Sequence, residues 1–190
     1  ATLTELTQRS VPVDASVPVT ADAAQAAQTY EEFLGIDGAD PALRAQALRR
    51  LGDLRLGETE ALIARDGTDA IAVRAVALQA VRAYQQLLAE QPAYGAADAV
   101  LYQLARALEY AGDDAAALAT LDRLVDRHPS GAYYAEAQFR RGEAFFSAQR
   151  YADAERAYAA VISAVGPTEF RQQAQYKLAW SLFKQNQDDA

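Results

Sequence analysis

Tyr102-Gln-Leu-Ala105, Phe139-Arg-Arg-Gly142 and Tyr176-Lys-Leu-Ala179 each set an aromatic residue three places before a small one, and the aromatics recur every 37 residues. A fixed period of this size marks stacked supersecondary units, each burying its apolar face only against its neighbours. The second half of each unit repeats as well. Ala80, Ala117 and Ala154 are followed four residues later by Tyr84, Leu121 and Tyr158, and Pro92 and Pro129 close their units 37 residues apart. Spacings of three and four put these residues on one helical face, and the alanine lets a neighbouring helix approach closely enough for the large residue to lock against it. The turn inside each unit is marked by Gly112-Asp-Asp114, Gln149-Arg-Tyr151 and Asn186-Gln-Asp188, where glycine or asparagine can leave the first helix and aspartate can cap the second. The expected fold is all-α, built of repeated helix-turn-helix units.

These residues resemble the tetratricopeptide (TPR) family, whose unit carries small, large, alanine, aromatic and proline residues in that order. Ala105, Leu108, Ala117, Leu121 and Pro129 occupy those places in one unit, and Gly142, Phe145, Ala154 and Tyr158 in the next, with Tyr151 at a further frequent aromatic place. The family's unit is about 34 residues long, so His128-Pro-Ser-Gly-Ala-Tyr-Tyr134 adds three residues between units. Proline, small residues, tyrosine and then Glu136-Ala137 look like the variant found in bacterial envelope proteins, such as the periplasmic Tol-Pal coordinator and the TPR lipoprotein of the outer-membrane assembly machine. The resemblance covers residues 42–190 and implies a right-handed α-solenoid of about eight helices.

The organisation follows from this register. Residues 1–19, with Val11-Pro-Val13 and Val17-Pro-Val19, are expected to be extended. A half repeat spans 20–36, with Thr20 as cap and Ala26, Tyr30 and Phe33 at the spacing of a second helix. A long first repeat covers 40–92, followed by repeats at 96–129 and 132–167 and a truncated one at 168–190. The long repeat starts at Asp40-Pro41 and breaks at Asp66-Gly67-Thr68-Asp69. Gly52 and Ala80 are 28 residues apart where Ala105 and Ala117 are 12 apart, so this repeat carries an insertion of sixteen. The helix ending near Gln185 lacks a second helix before Ala190. Because solenoids cover a terminal apolar face, further repeats are expected in the native protein.

Composition narrows the function. The chain has 190 residues, 51% of them hydrophobic, and no run approaches the ~20 apolar residues of a spanning helix. Cysteine and methionine are absent, which removes disulfides, thiolate metal sites and cysteine nucleophiles. Methionine's absence from position 1 suggests a processed product or a piece of a larger chain. A net charge of −8 opposes nucleic acid as partner, since phosphate binding needs a basic surface. Arg44, Arg49, Arg50 and Arg55 cluster on one helix and are expected to pair with nearby acids.

Enzymatic chemistry finds no foothold. The one histidine, His128, precedes Pro129 at a helix end, where capping explains it. Asp113-Asp114 and Asp188-Asp189 sit at expected helix starts, and Glu31-Glu32 and Glu58/Glu60 lack further ligands at metal spacing. No phosphate loop, nucleophile elbow or dinucleotide fingerprint occurs. Neither cofactor nor metal is expected.

In TPR proteins the first helices line a concave groove. Carried onto this sequence, the resemblance implies partner-binding roles for Tyr102, Arg106, Tyr110, Phe139, Glu143, Phe146, Tyr176, Trp180 and Phe183, beside Glu109, Glu136 and Lys184. Aromatic rings suit anchoring of an extended or helical peptide. The alternative is that they pack between repeats, Phe139 and Phe146 above all. The family's clamp for a chaperone's terminal carboxylate is not reproduced. Two functions follow: a periplasmic envelope scaffold that docks a segment of another protein, or a superhelical spacer that stacks on further repeats. Residues 1–19 could also lie in the protein's own groove.

Overall fold

A computed structural model of the protein describes residues 23–65, 69–166 and 168–188. Eight helices and no strand occur among them: α1 (Ala23–Leu34), α2 (Pro41–Ile63), α3 (Ala70–Glu90), α4 (Ala97–Tyr110), α5 (Asp114–Arg127), α6 (Tyr134–Ser147), α7 (Tyr151–Ser163) and α8 (Arg171–Asp188). Each packs chiefly on the helix before and after it, and the one further substantial contact among the described residues joins α2 to α4. The fold is therefore an all-α solenoid of three hairpins, α2–α3, α4–α5 and α6–α7. At one end α1 stands as a second helix, and at the other α8 stands as a first helix. The extended segment 1–19, the Thr20 cap and the break at Asp66–Thr68 lie outside the described residues.

Local sequence sets the boundaries. Asp40 Oδ1 accepts from the amides of Ala42 and Leu43 at 2.8 and 3.1 Å, ahead of Pro41 in the first turn of α2. Asp69 accepts from Ile71 N at 2.9 Å and Asp113 from Ala116 N at 3.0 Å, opening α3 and α5. His128 is the C-cap of α5, where its amide donates to Leu124 O. The turns after α4 and α6 are alike. Gly112 (φ 75°) and Gln149 (φ 60°) enter the left-handed region, and the next amides, Asp113 N and Arg150 N, reach back to Leu108 O and Phe145 O. This six-to-one closure satisfies carbonyls that the helix end leaves open. The corresponding turn expected at Asn186-Gln-Asp188 is not made, because α8 continues through Asp188.

The long first repeat takes the form of longer helices. α2 has 23 residues and α3 has 21, against 14 each in α4 and α5, and thirteen of the sixteen additional residues between Gly52 and Ala80 lengthen these helices, six in α2 and seven in α3. At 1.5 Å per residue the turn end of the hairpin overhangs its neighbour by about 9–11 Å.

Within two of the hairpins the core is organised by a tyrosine lying across a glycine. A β-carbon on Gly52 would stand 2.5 Å from Tyr84 Cε1, and one on Gly142 would stand 2.5 Å from Tyr158 Cε1. Both rings are fully buried. Each hydroxyl donates to the acid that follows the glycine: Tyr84 to Asp53 Oδ1 at 2.8 Å, and Tyr158 to Glu143 Oε1 at 2.5 Å. In the middle hairpin Ala105 takes the glycine's place and Leu121 the tyrosine's, both buried in one cluster. The larger first-helix residue meets the smaller second-helix one, and with no hydroxyl to satisfy, the next residue is Arg106 instead of an acid.

Gly142→Ala should lower stability by about 1–3 kcal/mol through overpacking, and adding Tyr158→Leu should recover much of the loss by recreating the Ala105–Leu121 pair; urea unfolding of the two variants decides this. Replacing Gln149 by glycine should raise stability by about 1 kcal/mol, since the left-handed turn then carries no side-chain strain. Thermal unfolding measured beside Gly112→Ala, which should shift the other way, provides the check.

Candidate functional site

The first helices are joined side to side by a ladder of polar contacts. Arg106 of α4 pairs with Glu60 of α2 and also donates to Gln103 Oε1 at 3.1 Å. Arg140 of α6 reaches back to Glu109 of α4 at 2.9 Å, and Lys177 of α8 reaches back to Glu143 of α6 at 2.9 Å. Arg140 and Lys177 are 37 residues apart, so a base at one register position recurrently meets an acid on the preceding first helix. That shared register was the available sequence signal for both, and neither stands among the expected site residues.

Tyr102, expected to line the groove as a partner-binding residue, is enclosed by its neighbours. It is 4% exposed, with its ring stacked on Tyr133 at 4.8 Å and 19°, and its hydroxyl donates to Glu136 while accepting from Arg140 Nε at 3.1 Å. Its polar tip is satisfied from within. Tyr133 belongs to the inter-repeat segment, where the additional residues bring a ring over Tyr102. Phe139 stacks on Phe170 at 5.2 Å and lies against Tyr158 at 5.9 Å, so it packs between repeats. Phe146 meets Tyr151 edge-on at 5.3 Å, with Lys177 Nζ 5.3 Å from its ring centre. Glu143 holds both Tyr158 and Lys177, and Tyr110 is half-buried against the α2–α4 core.

The remaining three residues lie together on α8 and are open to solvent. Tyr176 is 63% exposed, Trp180 39% and Phe183 51%. Spacings of four and three set them along one face, and their rings meet edge to face, Tyr176–Trp180 at 6.4 Å and Trp180–Phe183 at 5.6 Å. Beside them a recess of about 530 Å³ lies between α6 and α8, lined by Phe139, Glu143, Gln172, Gln173, Tyr176 and Lys177. A second recess of about 770 Å³ lies between α5 and α6 and includes Glu109, Asp114, Glu136 and Arg140. Burial raises the Glu109 carboxyl above its ordinary range, against the opposing pull of Arg140 and Arg106.

Of the four clustered arginines three pair locally, and Arg50 makes no ion pair among the described residues. Arg44 pairs with Glu90, Arg49 with Asp53, and Arg55 with both Glu31 and Glu58. Among the described residues no three histidine or acidic side chains converge as a metal site requires, and no helix is long and apolar enough to cross a membrane.

Comparison with known proteins agrees with this architecture. The tetratricopeptide repeat family model matches residues 99–131 and 136–165, which are the α4–α5 and α6–α7 hairpins with their closing turns. Among solved structures, the crystal structure of MamA protein is similar, with a TM-score of 0.62 and 18% identity, covering 88% of this chain and 76% of that one. At that identity the likeness speaks for the fold alone. Sequence comparison with curated proteins finds no match. The chain thus contains tetratricopeptide repeats, which are scaffolds for protein–protein interaction.

Three buried tyrosines give the polar network a pH signature. The hydroxyls of Tyr84, Tyr102 and Tyr158 are pushed up from the ordinary value, first by burial and then by Asp53, Glu136 and Glu143 respectively. A raised folded-state pKa contributes stability that is complete below the unfolded pKa of about 10 and is lost as pH rises above it, because unfolded tyrosines ionise first. Urea midpoints measured from about pH 8 to about pH 11 should fall steeply above about 10, and Tyr158→Phe should make that fall shallower by up to about 1.4 kcal/mol per pH unit. Equal slopes in the two proteins would contradict the assignment.

Proposed function

We propose that this protein is a non-enzymatic adaptor of a bacterial cell-envelope complex, acting in the periplasm, and that it binds an extended or helical segment of a partner protein through its concave first-helix groove at the α6–α8 end. The observation that carries the groove assignment is the exposed ladder Tyr176, Trp180 and Phe183 on one face of α8. Three rings with few rotatable bonds offer large contact area at low ordering cost, and the adjoining recess supplies Glu143 and Lys177 as polar positioning groups. The envelope setting is supported by the resemblance of His128-Pro-Ser-Gly-Ala-Tyr-Tyr134 to the inter-repeat segment of envelope TPR proteins. Nucleic acid is disfavoured as a partner by the net charge of −8.

A second function, a structural spacer, is favoured by one set of contacts. Tyr102, Arg106, Phe139, Glu143 and Phe146 all engage neighbouring helices, so most of the groove positions hold the solenoid together.

Crosslinking in bacterial envelopes separates the two. With Tyr176, Trp180 and Phe183 changed to alanine, an adaptor loses one specific envelope protein that the unaltered chain captures, while helical circular dichroism is unchanged. For a purified partner segment, each single change should weaken binding by about tenfold or more, the range of an interface anchor. Identical captured partners from both proteins would remove the groove assignment, and recovery of only the chain itself would favour the spacer.

A further inference from the structure

The turn end of the α2–α3 hairpin projects past the helices on both of its flanks. Ala27 of α1 shares a buried cluster with Leu51 of α2 and Ala83 of α3, so Ala23, the first residue of α1, stands about level with Gln79. The equivalence of Ala26 and Tyr30 with Ala80 and Tyr84 sets it level with Ala77. On the other flank α5 opens at Asp114, the counterpart of Ala77 one period on. The first turns of α3 and the last turn of α2 therefore have no described helix beside them.

Helical periodicity identifies what is bare there. Leu51 and Arg55 of α2 meet α1, and steps of three and four along that face lead to Glu58 and Leu62. Gln79, Arg82 and Ala83 of α3 border the groove beside α1, and the same steps backward lead to Ala75 and Ala72, both exposed. At the outer end of this surface Ile71 is 76% exposed and Ile63 49%. Two large aliphatic residues thus stand in water beside alanines that would let a chain approach closely, at a place inside the repeat array.

The sequence immediately ahead of α1 leads onto that place. It reads Val17-Pro18-Val19-Thr20-Ala21-Asp22 and lies outside the described residues. From Ala77 to Ile71 the helix rises about 9 Å, and from Ala23 to Val19 an extended chain spans up to about 13 Å. Val19 and Val17 are therefore within reach of Ile71 with only three linking residues, and so short a tether gives a high effective concentration. Pro18 adds a fixed φ and has no amide donor to satisfy, so an extended segment here loses little freedom on docking.

We propose that Val17–Val19 docks on the projecting end of α2–α3, with its valines against Ile71, Ala72 and Ala75, and so clasps the first hairpin of the solenoid from the second-helix side. The insertion in the first repeat acquires a role: its added turns are the seat of this segment. The contact is remote from the first-helix groove and from α8, so it does not depend on which partner the groove takes.

Because the chain lacks cysteine, an introduced pair reports proximity without background. In the full chain, Val19→Cys with Ile71→Cys should close a disulfide within one molecule about tenfold faster, or more, than Val19→Cys with Leu43→Cys. Leu43 is also exposed, at 52%, but lines the recess between α1 and the start of α2. Deleting residues 1–19 should speed hydrogen exchange at the amides of Arg74 to Ala77 by about tenfold, Ile71→Asp in the full chain should do the same, and the two changes together should do no more than either alone. An aspartate in the first turn of a helix favours that helix, so faster exchange in the Ile71→Asp chain reports the lost contact. Exchange unchanged by the deletion would overturn the proposal. So would faster closure to position 43, which would seat the segment in the α1–α2 recess, or disulfides formed only between molecules, which would make a second copy's segment the occupant.

Discussion

Two of the three hairpins in this solenoid depend on a phenol ring that occupies the space a β-carbon would fill. Tyr84 over Gly52 and Tyr158 over Gly142 bring their helices closer than any side-chain-bearing residue would permit. The ring supplies the buried area, the glycine supplies the room, and the following acid removes the cost of burying a hydroxyl. Ala105 with Leu121 solves the same problem with hydrocarbon alone. Because each pair is matched in volume and in polarity, the helices of one hairpin are not interchangeable with those of another despite their common period.

Charge is organised along the same axis. The bases at the shared register, Arg140 and Lys177, reach back to acids on the preceding first helix, and Arg106 reaches back to Glu60. These pairs lie at partly exposed positions, where individual ion pairs add little stability. Their consequence is geometric: they fix how far one first helix is rotated relative to the next, and so hold the recesses beside α6 open between rigid walls.

The period, the helical hairpins, the capping aspartates Asp40 and Asp113 and the sixteen-residue insertion were legible in the sequence because each rests on residues close together in the chain or on a simple count. Glycine or asparagine turn signals were legible only in part. Gln149 adopts the left-handed turn without being either residue, while Asn186, the better turn former, stays within α8. The site was harder. Tyr102 was expected to face a partner in the groove, yet Tyr133, Glu136 and Arg140 enclose it, and all three lie on the next unit, 31 to 38 residues away. Reading each register position by itself hides what the neighbouring unit brings to it. Tyr176, Trp180 and Phe183 stay open because no later first helix lies against them among the described residues.

The unequal hairpins have a mechanical consequence. Since helices touch mainly their sequence neighbours, a load applied between the two ends passes through the hairpins in series, each bearing the full tension in turn. The helices of 12 to 18 residues at and near the ends have short seams to hold, whereas α2 and α3, at 23 and 21 residues, share the longest one. Stretched, such a chain peels from its short units and keeps the α2–α3 pair as its last intact clasp, so the insertion makes one segment of an otherwise even filament the strong link.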